Sequence, residues 1–453
     1  MPPRVCLRLL VHELHPYLPP ETGPYSMLIC LIALFALTQD NPAPSVDLDA
    51  LGKAIEVDVA KITGRDFKHP VKIQATNAKQ FTDYVIGKLA EGGGTERMAH
   101  DEKIAKMLGM IPRDMDLKAL TLEVLAEQVG GFYDPPTGAF HVVEGMSRDL
   151  TRVVMAHEFT HALDDQYRDL DQLDKDCKYQ TDSQLALHAL AEGSAMEVME
   201  RWMIMNMGSL DMAAIQESQA SFSTETLGAA PPYLWKPLLG SYMAGQTFLR
   251  KVEVRTILTR PAEISGLDAA WLSPPVSTEQ IMHPAKYWDT EKLDLPTPIR
   301  TEPTMLPEGW TIQRRDVLGE LMLAIMTTPL DERQGVETNP LKLLAMRYTN
   351  AAASGWDGDE VLLLKGPQGG SATVLLTWWD DEAEAKEFAR AMEPLLAQIG
   401  KGAGYAEGQE LFVQLDAQGL QVVVGVVSAD AAVGIPDCVA LGKRVFEGVK
   451  TVK

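Results

Sequence analysis

Apolar positions along the chain change their spacing several times, and each change marks an element. From about Val46 to Leu125 they recur mainly at helical intervals, interrupted at HPVKIQA (His69 to Ala75), whose alternation suits a strand. Gly92-Gly93-Gly94 marks a loop. In GFYDPPTGAFHVV (Gly131 to Val143), Asp134, Pro135, Pro136 and Gly138 sit between two aromatic or β-branched runs, which predicts a β-hairpin. Two helices follow, over about Leu150 to Tyr167 and Ser183 to Met205. Ser, Pro and Gly then divide the later helices, including the segment Pro231 to Leu249. Pro274 to Trp288 is rich enough in turn formers to read as a structured loop.

Beyond about Asn350 the texture changes. EVLLLKG and SATVLLTWW read as paired strands, DEAEAKEFARAMEPLLAQI as a helix, ELFVQLD and LQVVVGVV as two more strands, and a last helix ends the chain. The order ββαββα describes an α+β domain of about 100 residues, without a catalytic cluster of its own and suited to packing or recognition. No internal repeat is evident.

At the other end, Met27 to Leu37 form an apolar run of eleven residues. A membrane-spanning helix needs about 20 such residues and a signal-peptide core about 7–15. The following TQDNPAPS can hold a cleavage point, although only Arg4 and Arg8 supply positive charge upstream. The expectation is a signal-like or disordered segment over 1–44 and export to the periplasm or beyond, with a cytoplasmic location as the alternative. No stable membrane span is expected beyond such a signal or anchor. His12 and His15, three apart in a Pro-rich context, read as bystanders. The division is then 1–44, a core over 45–340 and the α+β domain over 341–453. The whole is an α+β protein: a mainly helical core with a small hairpin or sheet, then ββαββα.

Composition narrows the class. Of 453 residues, 46% are apolar and 23% charged, as in soluble globular chains of two or three domains. Acidic residues outnumber basic ones 63 to 41, for a net charge of −22. That balance repels polyanions and argues against nucleic acid or an anionic membrane surface as the main partner. The four cysteines form no Cys-x-x-Cys pair, so a thiolate zinc site is not expected; a bridge between Cys177 and Cys438 stays open.

Candidate chemistry sits in the first of the two long helices. VVMAHEFTHALDDQY contains His157-Glu158-Phe159-Thr160-His161. Residues four apart share a helix face, so both imidazoles can reach one ion. Catalytic zinc takes three protein ligands and keeps one position open. Glu158, next to His157 but not a ligand, can take a proton from the attacking water and return it to a leaving amine. The plain alternative is a pair of surface histidines on an amphipathic helix. For the third ligand, SQLALHALAEGSAMEVMERW offers Glu192, 31 positions after His161. Gly193 and Ala195 would permit close helix approach. His188, one turn before Glu192, is either a supporting or substrate-facing group or a half-buried helix histidine. Asp164 or Asp165 can orient an imidazole, or simply end the helix in solvent. Hydrolysis also requires an oxyanion donor, for which Tyr242 and His283 are the candidates.

The stretches EQVGGFYDPPTGAFHVVEG, VMAHEFTHALDDQY, LALHALAEGSA and PPVSTEQIMHPAKYW resemble a bacterial family of HExxH proteins, which is in turn similar to the gluzincin branch of zinc metallopeptidases. The resemblance covers most of residues 115–290, and more loosely AAASGWDGDEVLLL and WWDDEAEAKEFARAM. It implies a zincin-like core, Zn2+ at His157, His161 and Glu192, and Glu158 as base. One departure stands out: where the gluzincin pattern has an aspartate four residues after the ligand glutamate, this chain has Met196. The orienting role then falls elsewhere, for instance on Asp164, or is missing.

Two functions follow as expectations. One is a zinc metallopeptidase hydrolysing peptide bonds of a peptide or protein substrate by zinc-activated water, with Glu158 as general base. The other is a non-catalytic binding or scaffold protein that retains a zinc site. A phosphate-handling role finds no support, because Gly92-Gly93-Gly94 lacks the Lys and Ser/Thr of a phosphate loop.

Overall fold

The computed structural model describes residues 47–449 except 91–92, 129, 179, 221–224, 257–258, 334 and 337–345. The expected signal-like segment 1–44, with Cys6 and Cys30, lies outside the described residues, as does Gly92. The architecture is α+β. A helical part carries a small three-stranded sheet, and a five-stranded antiparallel sheet with its own helices follows.

The helical part opens with α1 (Leu48–Thr63), β1 (Lys72–Thr76), α2 (Ala78–Ala90), α3 (Gly94–Met107) and α4 (Leu117–Gln128). The expected hairpin follows as β2 (Gly131–Asp134) and β3 (Ala139–Val143), and β1 joins it parallel to β3, giving the order β1-β3-β2. Next come α5 (Arg148–Arg168), α6 (Leu170–Asp176) and α7 (Thr181–Asn206). Ser147 caps α5 by accepting from Leu150 N–H at 3.2 Å.

Beyond α8 (Met212–Ala220) and α9 (Glu225–Ala229), the segment expected to break runs as one helix, α10 (Pro232–Leu249). Pro237 falls within its second turn, and the rest of the segment is apolar enough to be held by burial against α7. The expected loop at 274–288 follows α11 (Ile264–Leu272) and contains two short helices, α12 (Thr278–Met282) and α13 (Ala285–Trp288).

Close approach of α7 and α10 is made by glycine. A Cβ on Gly193 would lie 2.5 Å from the Gly245 carbonyl carbon, and one on Gly245 would lie 1.9 Å from the Ala189 carbonyl oxygen. Gly193 therefore serves contact with α10, a different partner from the HExxH helix that the sequence suggested. Gly245→Ala should destabilise the fold by about 3 kcal/mol, the upper end of overpacking costs, since the clash is with backbone. A urea-unfolding midpoint unchanged from wild type would contradict this packing.

The second sheet has the order β4-β5-β6-β8-β7, from β4 (Thr311–Asp316), β5 (Trp356–Lys365), β6 (Ser371–Trp379), β7 (Glu410–Gln418) and β8 (Gln421–Ala429). With α15 (Glu382–Ile399) and α16 (Cys438–Phe446) this contains the expected ββαββα. The unforeseen β4 comes from upstream of residue 341, and α14 (Gly319–Thr327) follows it. Both faces of the central strands are buried. Val361 and Leu363 join the core shared with the helical part and α15, while Leu362 and Leu364 pack with Leu441, Val445 and Phe446 of α16. Two-sided burial explains why Val361 to Leu364 form a continuous apolar run. Cys177 and Cys438 are both free, so the bridge left open by the sequence does not form. Among the described residues no helix is long and apolar enough to cross a membrane.

The two parts meet at buried carboxylates. Asp316 at the end of β4 caps α7, accepting from Thr181 N–H at 2.8 Å and Thr181 O–H at 2.6 Å. Asp359 of β5 accepts from Leu318 and Gly319 N–H at the start of α14. Gly319 has φ +73°, and a Cβ there would lie 1.8 Å from Asp182 Oδ1. Burial drives Asp182 up to about 7 and Asp359 up to about 8; in each, neighbouring acids add to the rise and hydrogen bonds oppose it.

A folded-state pKa raised above the unfolded value means that the folded form holds the extra proton. The junction's contribution is thus full below about pH 4 and is lost as pH rises through about 7 and 8. The unfolding midpoint of the wild type should fall between pH 5 and 9, and Asp182→Asn should flatten that slope. A midpoint that rises over this window would contradict the assignment.

Candidate metal centre

His157 and His161 lie one turn apart on α5, with ring centroids 4.7 Å apart and planes at 74°. α7 packs across α5 and brings Glu192 to them: its Oε2 is 3.0 Å from His157 Nε2 and 3.7 Å from His161 Nε2. Both histidines are fully buried and Glu192 is 5% exposed. Ligand atoms at zinc distances on a tetrahedron lie about 3.4 Å apart, which these two separations bracket. This buried group could hold a metal ion.

The protonation states suit a cation. Burial lowers His157 to about 4, outweighing its hydrogen bond to Glu192. Burial pushes Glu192 upward, but the two histidines more than offset it and bring its carboxyl down to about 2. At neutral pH the cluster therefore holds a neutral His157 and a carboxylate, the forms that ligate metals. His161 Nε2 has no hydrogen-bond partner among the described residues, although a buried ring nitrogen normally finds one.

Glu158 lies beside this group, fully buried, and β2 holds it: Tyr133 N–H donates to its Oε2 at 2.8 Å, while Oε1 has no hydrogen-bond partner among the described residues. Burial first, and the charge of Glu192 second, push its carboxyl well above its ordinary value; the Tyr133 N–H opposes them. Tyr133 also ties strand to helix through its hydroxyl, which donates to Asp165 Oδ2 at 2.7 Å. Sequence reasoning missed Tyr133, because its contact with Glu158 is made by main chain and no side-chain pattern signals that.

The orienting roles considered for Asp164 and Asp165 are not found. Asp164 accepts from Arg65 at 2.7 Å and Ser194 at 2.8 Å, and Asp165 from Tyr133 and Leu170. Neither His157 Nδ1 nor His161 Nδ1 has a hydrogen-bond partner among the described residues. With Met196 in place of the expected aspartate, the histidines are set by packing and by Glu192. His188 is half-buried, interacts electrostatically with Asp174 and stands outside the ligand group. The two oxyanion candidates separate. The Tyr242 ring lies 6.0 Å from that of His157, whereas His283 Nε2 pairs with Glu320 Oε1 at 2.9 Å.

Residues 308–436 match a family model described as a domain of unknown function, DUF8575. The match spans β4 to β8 and includes none of the ligand candidates. No curated protein and no solved structure matches the chain.

A second acidic group, Glu279, Asp294 and Asp380, also converges among the described residues. Its centre is taken by Lys286, whose Nζ lies 2.6, 2.8 and 2.7 Å from the three carboxylates. An ammonium already neutralises it, which makes it a structural tie between α12, α13 and the β6–α15 turn.

Proposed function

We propose that the protein is a zinc-dependent metallopeptidase, with His157, His161 and Glu192 as ligands and Glu158 as general base. The observation that carries this reading is convergence. Three buried donors from two helices meet within 4.8 Å, and a fourth buried group, which a purely structural site would not need, stands beside them with a free carboxylate oxygen. When bound, zinc would supply Lewis acidity toward a carbonyl and lower the pKa of water.

The remaining work falls to the chain itself. Glu158 takes the proton of the attacking water on Oε1 and returns it to the leaving amine, while the Tyr133 N–H fixes its other oxygen. Tyr242, beside His157, is the better placed of the two oxyanion donors. The substrate class is a peptide or protein, and nucleic acid is disfavoured by the net charge of −22. Export to the periplasm or extracellular space remains part of the proposal, resting on the apolar run Met27 to Leu37.

The second reading is a non-catalytic binding protein with a retained zinc site. Complete burial of Glu158 and, among the described residues, the lack of a carboxylate behind either imidazole favour it. Cleavage of a mixed peptide library separates the two. Hydrolysis should disappear with 1,10-phenanthroline and return on adding zinc. Cleavage that persists after chelation would overturn the metallopeptidase reading, and the absence of any cleavage by zinc-loaded protein would leave the binding reading.

A further inference from the structure

β2 is an edge strand of four residues, paired with β3 on one side, and so short a ladder holds it only in part. Its Tyr133, 1% exposed, makes two hydrogen bonds to α5. The N–H donates to Glu158 Oε2 at 2.8 Å, and the hydroxyl donates to Asp165 Oδ2 at 2.7 Å. Glu158 and Asp165 are seven positions apart, which is two turns along one face of α5 and about 10 Å. One tyrosine therefore lies along the helix and closes a ring, from its N–H through Glu158, the helix and Asp165 back to its own hydroxyl.

Glu158 depends on that ring. The Tyr133 N–H is its one hydrogen-bond partner among the described residues, and a glutamate side chain has several torsions to order. Asp165 is itself held from its other side, where Oδ1 accepts from Leu170 N–H at 2.9 Å at the start of α6. It is half-buried and stands outside the group of residues that could hold a metal. The tie from Tyr133 to Asp165 thus fixes the strand to the helix from a point away from the ligands.

We propose that Tyr133 is a positioning residue for Glu158, and that its hydroxyl bond to Asp165 keeps its N–H, and with it the base, in register with His157, His161 and Glu192. The hydroxyl acts through the main chain of its own residue. Without it the edge strand is free to slide on α5, and proton transfer by a general base is sensitive to displacements of about 1 Å. The catalytic consequence rests on the metallopeptidase reading; the clamp between β2 and α5 does not.

Tyr133→Phe in the full chain tests it, because it removes one oxygen and leaves the ring in place. The variant should keep its zinc, lose about tenfold in kcat and change KM by less than about twofold. Deuterium uptake by the peptide spanning Gly131 to Asp134 should rise in the same variant, as the strand opens more often. Asp165→Ala should match it, whereas Asp165→Asn should stay within about twofold of wild type. The asparagine amide can donate to the phenol oxygen while its carbonyl accepts the Leu170 N–H. In a Glu158→Gln background Tyr133→Phe should cost nothing further, as a residue acting through Glu158 requires. Wild-type kcat in Tyr133→Phe, or a tenfold loss that persists in the Glu158→Gln background, would overturn the positioning role and leave the metallopeptidase reading in place. A wild-type chain that cleaves nothing would remove that reading instead, and exchange would then decide the clamp: raised uptake in Tyr133→Phe supports it, and unchanged uptake overturns it.

Discussion

Glu158→Gln should lower peptide hydrolysis by about 10³-fold, the middle of the range for a lost general base, with bound zinc unchanged. Glutamine is nearly isosteric, and its carbonyl oxygen can still accept the Tyr133 N–H that holds Oε2 at 2.8 Å. What it cannot do is take a proton at the position of Oε1, the oxygen that has no hydrogen-bond partner among the described residues. The effect should therefore fall on kcat, with KM little changed. Steady-state kinetics with a cleaved peptide, beside metal analysis of the same preparation, would measure both. A variant that keeps more than a tenth of wild-type kcat would remove Glu158 from the base role. Loss of zinc together with activity would make it a support for the ligands instead.

The second large effect belongs to Glu192→Ala. With the carboxylate gone, two imidazoles from one helix remain, and zinc affinity should fall by at least about 10²-fold. His188 offers no replacement, since it stands outside the ligand group and interacts with Asp174. The fold should survive, because α7 is anchored at its start by Asp316 and Val317 and along its length by the Gly193–Gly245 contact. Competition with a chromophoric zinc chelator gives the affinity directly. Wild-type affinity in Glu192→Ala would place the third ligand elsewhere.

Much of this site was legible in the sequence because its chemistry follows helix periodicity. Two histidines four apart must share a face, and a glutamate on the next long helix has few other reasons to be buried. The hairpin was legible from its turn residues, and the ββαββα order from strand texture. Four features were not. The Tyr133 contact runs through main chain, which carries no residue signature. The continuous α10 depends on burial against α7, which outweighs the local signal of Pro237, Gly240 and Gly245. The strand β4 is short and polar, TIQRRD, and becomes a strand by pairing with β5. Asp164 looked like an orienting acid beside His161, yet Arg65 and Ser194 hold it, and neither partner is near in sequence.

The central claim is that His157, His161 and Glu192 hold zinc, and metal analysis of the purified wild-type chain by mass spectrometry tests it most directly. About one zinc per chain is expected, retained through gel filtration and lost from His161→Ala. Wild-type protein that carries no zinc, and takes up none when reconstituted with an excess, would contradict it.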